Sequence, residues 1–328
     1  MDIFWMVIFI LIGFVLIIKG GDLFVESSVN IARILRVSEV IIGATIVSIG
    51  TTLPELLTSI IATSKGVATH FDDGYLALAV SNAIGSMLAN SGLILALVII
   101  IRPPRYDRTT FDKTSLYVLL ISVFLVIFSI TDSSINIIEG IVLLLAFIFF
   151  VVFNIRSASK EMKGRELVAI PTQGASRLMM IISFIVGMLS IGGGALMLVS
   201  NARALALSVG VSTQLVGITL VAIGTSLPEL VTSMTALAHK NTDIGVGNIF
   251  GAHIINATLI IGIITMIAKG NLPVDSVTRN VSVWVMLAIM AVLILPTIIR
   301  RKISRVQGVI MLIIYISNLI YNTCVVVY

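Results

Sequence analysis

Charge is what this sequence has least of. Asp, Glu, Lys and Arg make up 11% of its 328 residues, and 58% are hydrophobic. A soluble domain carries about 25% charge, so this chain cannot cover a water-facing surface and reads as an integral membrane protein. There is one cysteine, Cys324, so no internal disulfide can form. The three histidines stand apart, and no Cys/His cluster suggests a zinc site. Continuous apolar runs, rather than alternating segments of about ten residues, exclude a transmembrane barrel. The start, "MDIFWMVIFILIGFVLIIKGGD", has no basic n-region, and its apolar run is too long for a signal peptide. No nucleophile–base pair or nucleotide motif is present, and the strings "GTTLPE" and "GTSLPE" lack the lysine of a P-loop. The chain therefore does not read as an enzyme and implies no cofactor. A net charge of +5 does not mark a nucleic-acid binder, because the basic residues, Lys19 in the first span apart, belong to connecting loops.

What is there is hydrophobic length. A helix needs about 20 mostly apolar residues to cross hydrocarbon. Ten candidate spans follow: 3–30, 38–64, 75–101, 114–131, 135–154, 177–205, 212–238, 243–268, 280–299 and 307–326. Numbered alternately, the connections on one side hold sixteen Lys and Arg, from Arg33 and Arg36 through Arg156 and Lys160 to Arg305. The other side holds four: Lys65, Arg203, Lys269 and Arg279. The positive-inside rule makes the rich side cytoplasmic. Both termini are then outside, in a multi-pass protein of the cell membrane.

A repeat runs through the chain. "SIGTTLPELLTS" (48–59) returns as "AIGTSLPELVTS" (222–233), an offset of 174. "SNAIGSMLANSGLILAL" (81–97) matches "GNIFGAHIINATLIIGI" (247–263) at an offset of 166. Five spans per copy is an odd number, so the second copy enters from the opposite side. The expected fold is all-α, ten transmembrane helices as two inverted five-helix repeats. The repeats cover 1–154 and 177–328, with 155–176 as a cytoplasmic linker, all forming one transport domain. Such inverted repeats place a substrate site near the midplane.

The repeated phrases are polar where a span should be apolar. A carboxylate costs at least ~2.5 kcal/mol at a helix centre, yet Glu55 and Glu229 sit mid-span, each beside a proline. Pro54 and Pro228 lack an N–H and clash with the carbonyl four residues back, which belongs to Gly50 and Gly224 respectively. A freed carbonyl at membrane depth is tolerated where it lines a cavity or meets a ligand. Thr51, Thr52, Thr225 and Ser226 add hydroxyls, and Ser86, Asn90 and Asn256 add oxygens from the second phrases. A donor set made only of oxygen suits hard ions such as Ca²⁺ or Na⁺. Two glutamates balance one divalent charge. Gly85, Gly251 and Ala252 read instead as small residues for helix packing. His253 reads as a hydrogen-bonding partner between helices. Asp22 and Glu26 read as structural or vestibule charges, partnered by Lys19 or loop arginines.

The paired "G-T-[TS]-L-P-E-L-[LV]-T-S" phrases, each followed by "N-[AI]-[IF]-G-x-x-x-x-N", resemble the two α-repeats of the calcium/cation antiporter superfamily, in its prokaryotic sodium/calcium exchanger branch. The resemblance covers nearly the whole chain. It implies that Glu55 and Glu229 share Ca²⁺ and also bind Na⁺. It implies that the Thr51 and Thr225 carbonyls complete the Ca²⁺ site. Thr52, Ser226 and Ser86 would supply hydroxyls to flanking Na⁺ sites that the Ser48 and Ala222 carbonyls complete, and Asn90 matches a family asparagine. Thr52 replaces a more usual serine, and two further departures from the pattern matter. Ala252 stands where the family usually has a serine ligand for Na⁺. Asn256 stands where several members have aspartate, which argues against potassium dependence.

The resulting expectation is secondary active exchange of Ca²⁺ for Na⁺ by alternating access, electrogenic, with no obligatory protein partner beyond the lipid bilayer. Spans 2, 3, 7 and 8 would form a fixed core while spans 1 and 6 slide together on the glycines of "KGGDLF" (19–24) and "IGGGALM" (191–197). Coupling to H⁺ at the same site is the first alternative, and a passive cation channel the second.

Overall fold

Apolar runs of this length give a backbone in lipid no hydrogen-bond partner but itself, and helices result. The computed structural model describes residues 3–35, 37–69, 73–104, 108–131, 133–164, 177–208 and 226–327. Its helices are α1 (Ile3–Leu35), α2 (Glu39–Thr51), α3 (Leu53–Ala68), α4 (Gly74–Ile101), α5 (Arg108–Thr131) and α6 (Ile137–Gly164). They continue with α7 (Arg177–Ser208), α8 (Leu227–Ala238), α9 (Thr242–Ile267), α10 (Thr278–Arg300) and α11 (Arg305–Val327). Among the described residues eight helices are long and apolar enough to cross a membrane, and α2 with α3 makes a ninth span bent by 45°. The protein is an all-helical, multi-pass membrane protein. The expected span 212–238 begins outside the described residues, and α8 is its described part. Helix α6 runs on to Gly164, into the stretch expected to be a linker.

Burial sorts the helices into centre and rim. In the apolar windows of α4 and α9, 72% and 83% of residues are buried, against 22% in α1, α6, α7 and α11. The rim helices turn Leu11, Leu145, Leu189 and Ile313 outward, where lipid rather than water meets them. One apolar core joins α4, α5, α6, α9 and α10. A second joins α1, α2 and α7, with Phe24 and Phe184 rings 4.7 Å apart.

Glycines set two close seams and fix their directions. A Cβ on Gly13 would lie 2.9 Å from the Gly194 carbonyl oxygen, and one on Gly20 would lie 2.9 Å from that of Gly187. Contacts that ascend α1 therefore descend α7, so the two helices are antiparallel. Between α2 and α9, Gly43 faces Ile244 and Asn248, while Gly251 faces Ala44 and Ser48. Both numbers rise together, so these two are parallel. Small residues let helix backbones approach this closely. Gly251 thus packs as expected, whereas Gly85 has nothing within 4 Å of its absent side chain. Of the three glycines in "IGGGALM" only Gly194 reaches the seam; Gly192 and Gly193 face open space.

The loops carry local devices. Ser134–Ile135 pairs antiparallel with Leu272–Pro273, tying the connection before α6 to the one before α10. Asn136 caps α6 by accepting the N–H groups of Ile138 and Glu139, while the Glu139 carboxylate accepts the Asn136 N–H at 2.8 Å. That reciprocal capping box is why Glu139 stands at the start of its span.

Candidate ion-binding site

The site grows from two matching helix breaks. Thr52 has φ −86° and ψ 1°, and Ser226 has φ −89° and ψ 6°. Each lies in the sparsely used bridge region just before a Leu-Pro-Glu start. The Thr52 carbonyl accepts the Leu56 N–H at 3.1 Å, and the Ser226 carbonyl accepts the Leu230 N–H at 3.0 Å. Pro54 offers no N–H, so the Gly50 carbonyl has no donor four residues on. Both glutamates fall in the first turn of their helices, where the helix dipole favours negative charge.

Glu55 and Glu229 are fully buried and close enough to repel each other. The repeats serve each other's carboxylates. Thr52 donates to Glu229 Oε1 at 3.0 Å. Its counterpart Ser226 lies beside the Glu55 carboxylate without making a hydrogen bond to it. Among the described residues no Lys, Arg or His forms an ion pair with either glutamate, and no group of three or more His, Cys, Asp or Glu gathers anywhere. The site is therefore two carboxylates among neutral oxygens.

Those oxygens are unusually unsatisfied. Both Glu55 oxygens, Glu229 Oε2, Ser86 Oγ, Ser226 Oγ and Asn256 Oδ1 are buried with no hydrogen-bond partner, as are both amide atoms of Asn90. Native interiors satisfy nearly all such groups. Three of these atoms belong to the two like-charged carboxylates themselves, and buried, unpartnered carboxylate oxygens are chemistry suited to desolvated cations. Asn90 opens a π-helical turn, Asn90–Leu95, that packs on α8, and Asn256 lies in a second, Ile255–Ile260, that packs on α3. Each asparagine turn thus meets the glutamate helix of the other repeat. π turns of this kind are frequent at functional sites.

Other expected residues are placed less simply. The Thr51 hydroxyl meets Asn248 Oδ1 at 3.0 Å and the Ser48 carbonyl at 3.3 Å. That Ser48 carbonyl also accepts the Thr52 N–H at 2.9 Å. Asn256 donates to the Ala252 carbonyl at 2.9 Å, and Ala252 itself is fully buried. Thr225 and Ala222 lie outside the described residues. Asp22 has a different partner from the lysine and arginines expected: its carboxylate lies 3.2 Å from His239 Nε2 at the end of α8. His253 bridges helices, as expected, between Ser91 and Ser122.

Three polar residues escaped the sequence reading. Asn82 donates to the Glu55 carbonyl at 3.4 Å and to Ser59 Oγ at 3.0 Å, and Asn248 accepts from Thr51. The two asparagines open the second phrase of each repeat, so the repeat itself could have flagged them. Ser59 closes the first phrase.

An oxygen-lined, doubly acidic centre in an all-helical membrane protein defines a class, the membrane cation transporters. The chain belongs to the sodium/calcium exchanger protein family, whose model matches residues 5–156 and 179–324. It is 34% identical over 310 residues to an uncharacterised membrane protein of Methanocaldococcus jannaschii, covering 94% of this chain and 95% of the relative. It is 31% identical over 322 residues to the putative antiporter CaxA of Alkalimonas amylolytica, covering 94% and 96%. Among solved structures, the sodium-calcium exchanger NCX_Mj soaked in Na⁺ and Sr²⁺ matches with a TM-score of 0.81 at 32% identity, over 96% of this chain and 97% of that one.

Proposed function

We propose that this chain exchanges Ca²⁺ for Na⁺ across a cell membrane by alternating access, with Glu55 and Glu229 as the shared ligands. The observation that carries this reading is the pair of buried carboxylates, one on each broken helix, with most of their oxygens unpartnered and, among the described residues, no basic group to neutralise them. One Ca²⁺ or several Na⁺ supplies the missing charge. An empty site holds two like charges in a low-dielectric interior and resists closing over, and that resistance couples the two fluxes. Several Na⁺ per Ca²⁺ makes the exchange electrogenic.

Thr52, Ser226, Ser86, Asn90 and Asn256 add neutral side-chain oxygens in this proposal. Thr51, Thr225, Ser48 and Ala222 act through their carbonyls, that of Ser48 after giving up a present hydrogen bond. The ten-span, inverted-repeat plan, with halves 1–154 and 177–328 about a 155–176 linker, belongs to the same proposal. Antiparallel α1 and α7 support it, since spans 1 and 6 of such a plan run oppositely. Parallel α2 and α9 support it too, since spans 2 and 8 run alike. The basic connections put 155–176 in the cytoplasm and both termini outside.

Glu55→Gln and Glu229→Gln test the site. Each keeps the shape and removes one charge, so radioactive Ca²⁺ uptake into proteoliposomes falls to background while the purified protein keeps its monodisperse elution. Wild-type uptake by either variant would overturn the assignment.

A further inference from the structure

His253 is fully buried and plays no part in the mechanism above. Its ring reaches two other helices: Nδ1 lies 3.3 Å from Ser91 Oγ on α4, and Nε2 lies 2.9 Å from Ser122 Oγ on α5. Ser122 Oγ also donates to the Val118 carbonyl at 2.8 Å. A hydroxyl has a single proton. Spent on Val118, it leaves Ser122 Oγ to accept from Nε2–H, and Nδ1 then accepts the Ser91 hydroxyl. This assignment of the tautomer, made from the network, leaves no proton without an acceptor. A directed chain of bonds results, from Ser91 through His253 and Ser122 to the Val118 carbonyl.

The anchored end of that chain matters. Ser91 follows Asn90 inside the π turn Asn90–Leu95. The equivalent asparagine of the second repeat, Asn256, is held by the Ala252 carbonyl at 2.9 Å. The amide of Asn90 has no such bond. At the offset of 166, the first-repeat counterpart of His253 is Met87, which can make neither of the histidine's hydrogen bonds. The two turns are thus held differently, one by its own amide and one through its neighbour.

We infer that His253 is a positioning residue: by clamping Ser91 it fixes the Asn90 turn and sets the apparent cation affinity of the site. This rests on the ion site proposed above. The test is the Ca²⁺ dependence of uptake in His253→Met, Ser91→Ala, Asn90→Ala and the two doubles that include Asn90→Ala. His253→Met is expected to raise the Ca²⁺ concentration for half-maximal uptake about tenfold, the size of the one hydrogen bond to Ser91 through which the clamp acts, with the maximal rate per folded protein retained. Ser91→Ala, a smaller change that keeps the imidazole, shifts it in the same direction. In the Asn90→Ala background neither change adds a further shift, because the clamp acts through Asn90. His253→Gln, which can both donate and accept, recovers part of the affinity. Equal shifts with and without Asn90, or no shift in either single variant, would overturn the inference. An Asn90→Ala protein with wild-type half-saturation would instead overturn the ligand role of Asn90, and this inference with it.

Discussion

Single atoms carry the site. Thr52 is the one described donor to Glu229 Oε1, so Thr52→Ala leaves a buried carboxylate oxygen unpaired. The cost of such an orphan is about 1–3 kcal/mol, and the expected result is weaker Ca²⁺ affinity in uptake assays together with a lower melting temperature. An unchanged half-saturation would show that the hydroxyl is spectator to the ion. Ala252→Ser asks about the oxygen the family usually has; a steeper Na⁺ dependence is expected, and an unaltered Na⁺ response would mean another oxygen already fills that place. The glutamates were legible in the sequence because a carboxylate beside a proline in an apolar run has no plain structural use. Asn82 and Asn248 were harder to read, although both sit in the repeated phrase. An asparagine in a membrane helix has many uses, and only the contacts with Ser59 and Thr51 choose among them.

In the proposed mechanism, helices decide how the site opens. The 45° bend between α2 and α3 follows from Pro54, and the same Leu-Pro-Glu start recurs in α8. In Pro54→Ala the restored N–H can bond the Gly50 carbonyl and straighten the span. Thermal stability is expected to rise and Ca²⁺ uptake to fall; retained uptake would separate the bend from the function. Helix α1, paired with α7 through its glycines, meets α8 through Asp22 and His239. Cross-linking Asp22→Cys to His239→Cys with a bifunctional thiol reagent, in a Cys324→Ser background, is expected to stop uptake until the bridge is reduced. Full activity of the bridged protein would contradict sliding of α1 against α8. Proline announced the bend, but nothing announced the π turns at Asn90 and Ile255. An extra residue in a helical turn leaves hydrophobic periodicity and propensity almost unchanged, so tertiary packing alone reveals it. Glycine was ambiguous in the same way: Gly251 and Gly85 occupy equivalent positions, and only the first has a neighbour to press against.

At the scale of the molecule, scarcity of charge made the membrane class legible, and the repeat carries the proposed pairing of two inverted halves. The proposed sense of each span rests on counting lysines and arginines, and it makes a simple prediction. A cysteine placed at 165–176 resists impermeant thiol reagents in intact cells, while a C-terminal tag is open to antibody. The reverse pattern would invert the orientation. Coupling is the property on which the whole proposal turns, because Ala252 and Asn256 depart from the pattern that the resemblance implies for the ion ligands. The direct test is radioactive Ca²⁺ uptake into proteoliposomes loaded with Na⁺, set against liposomes holding only a pH gradient. Uptake is expected to require internal Na⁺ and to quicken when the interior is made electrically positive. Uptake that follows the pH gradient and ignores Na⁺ would rule out sodium coupling.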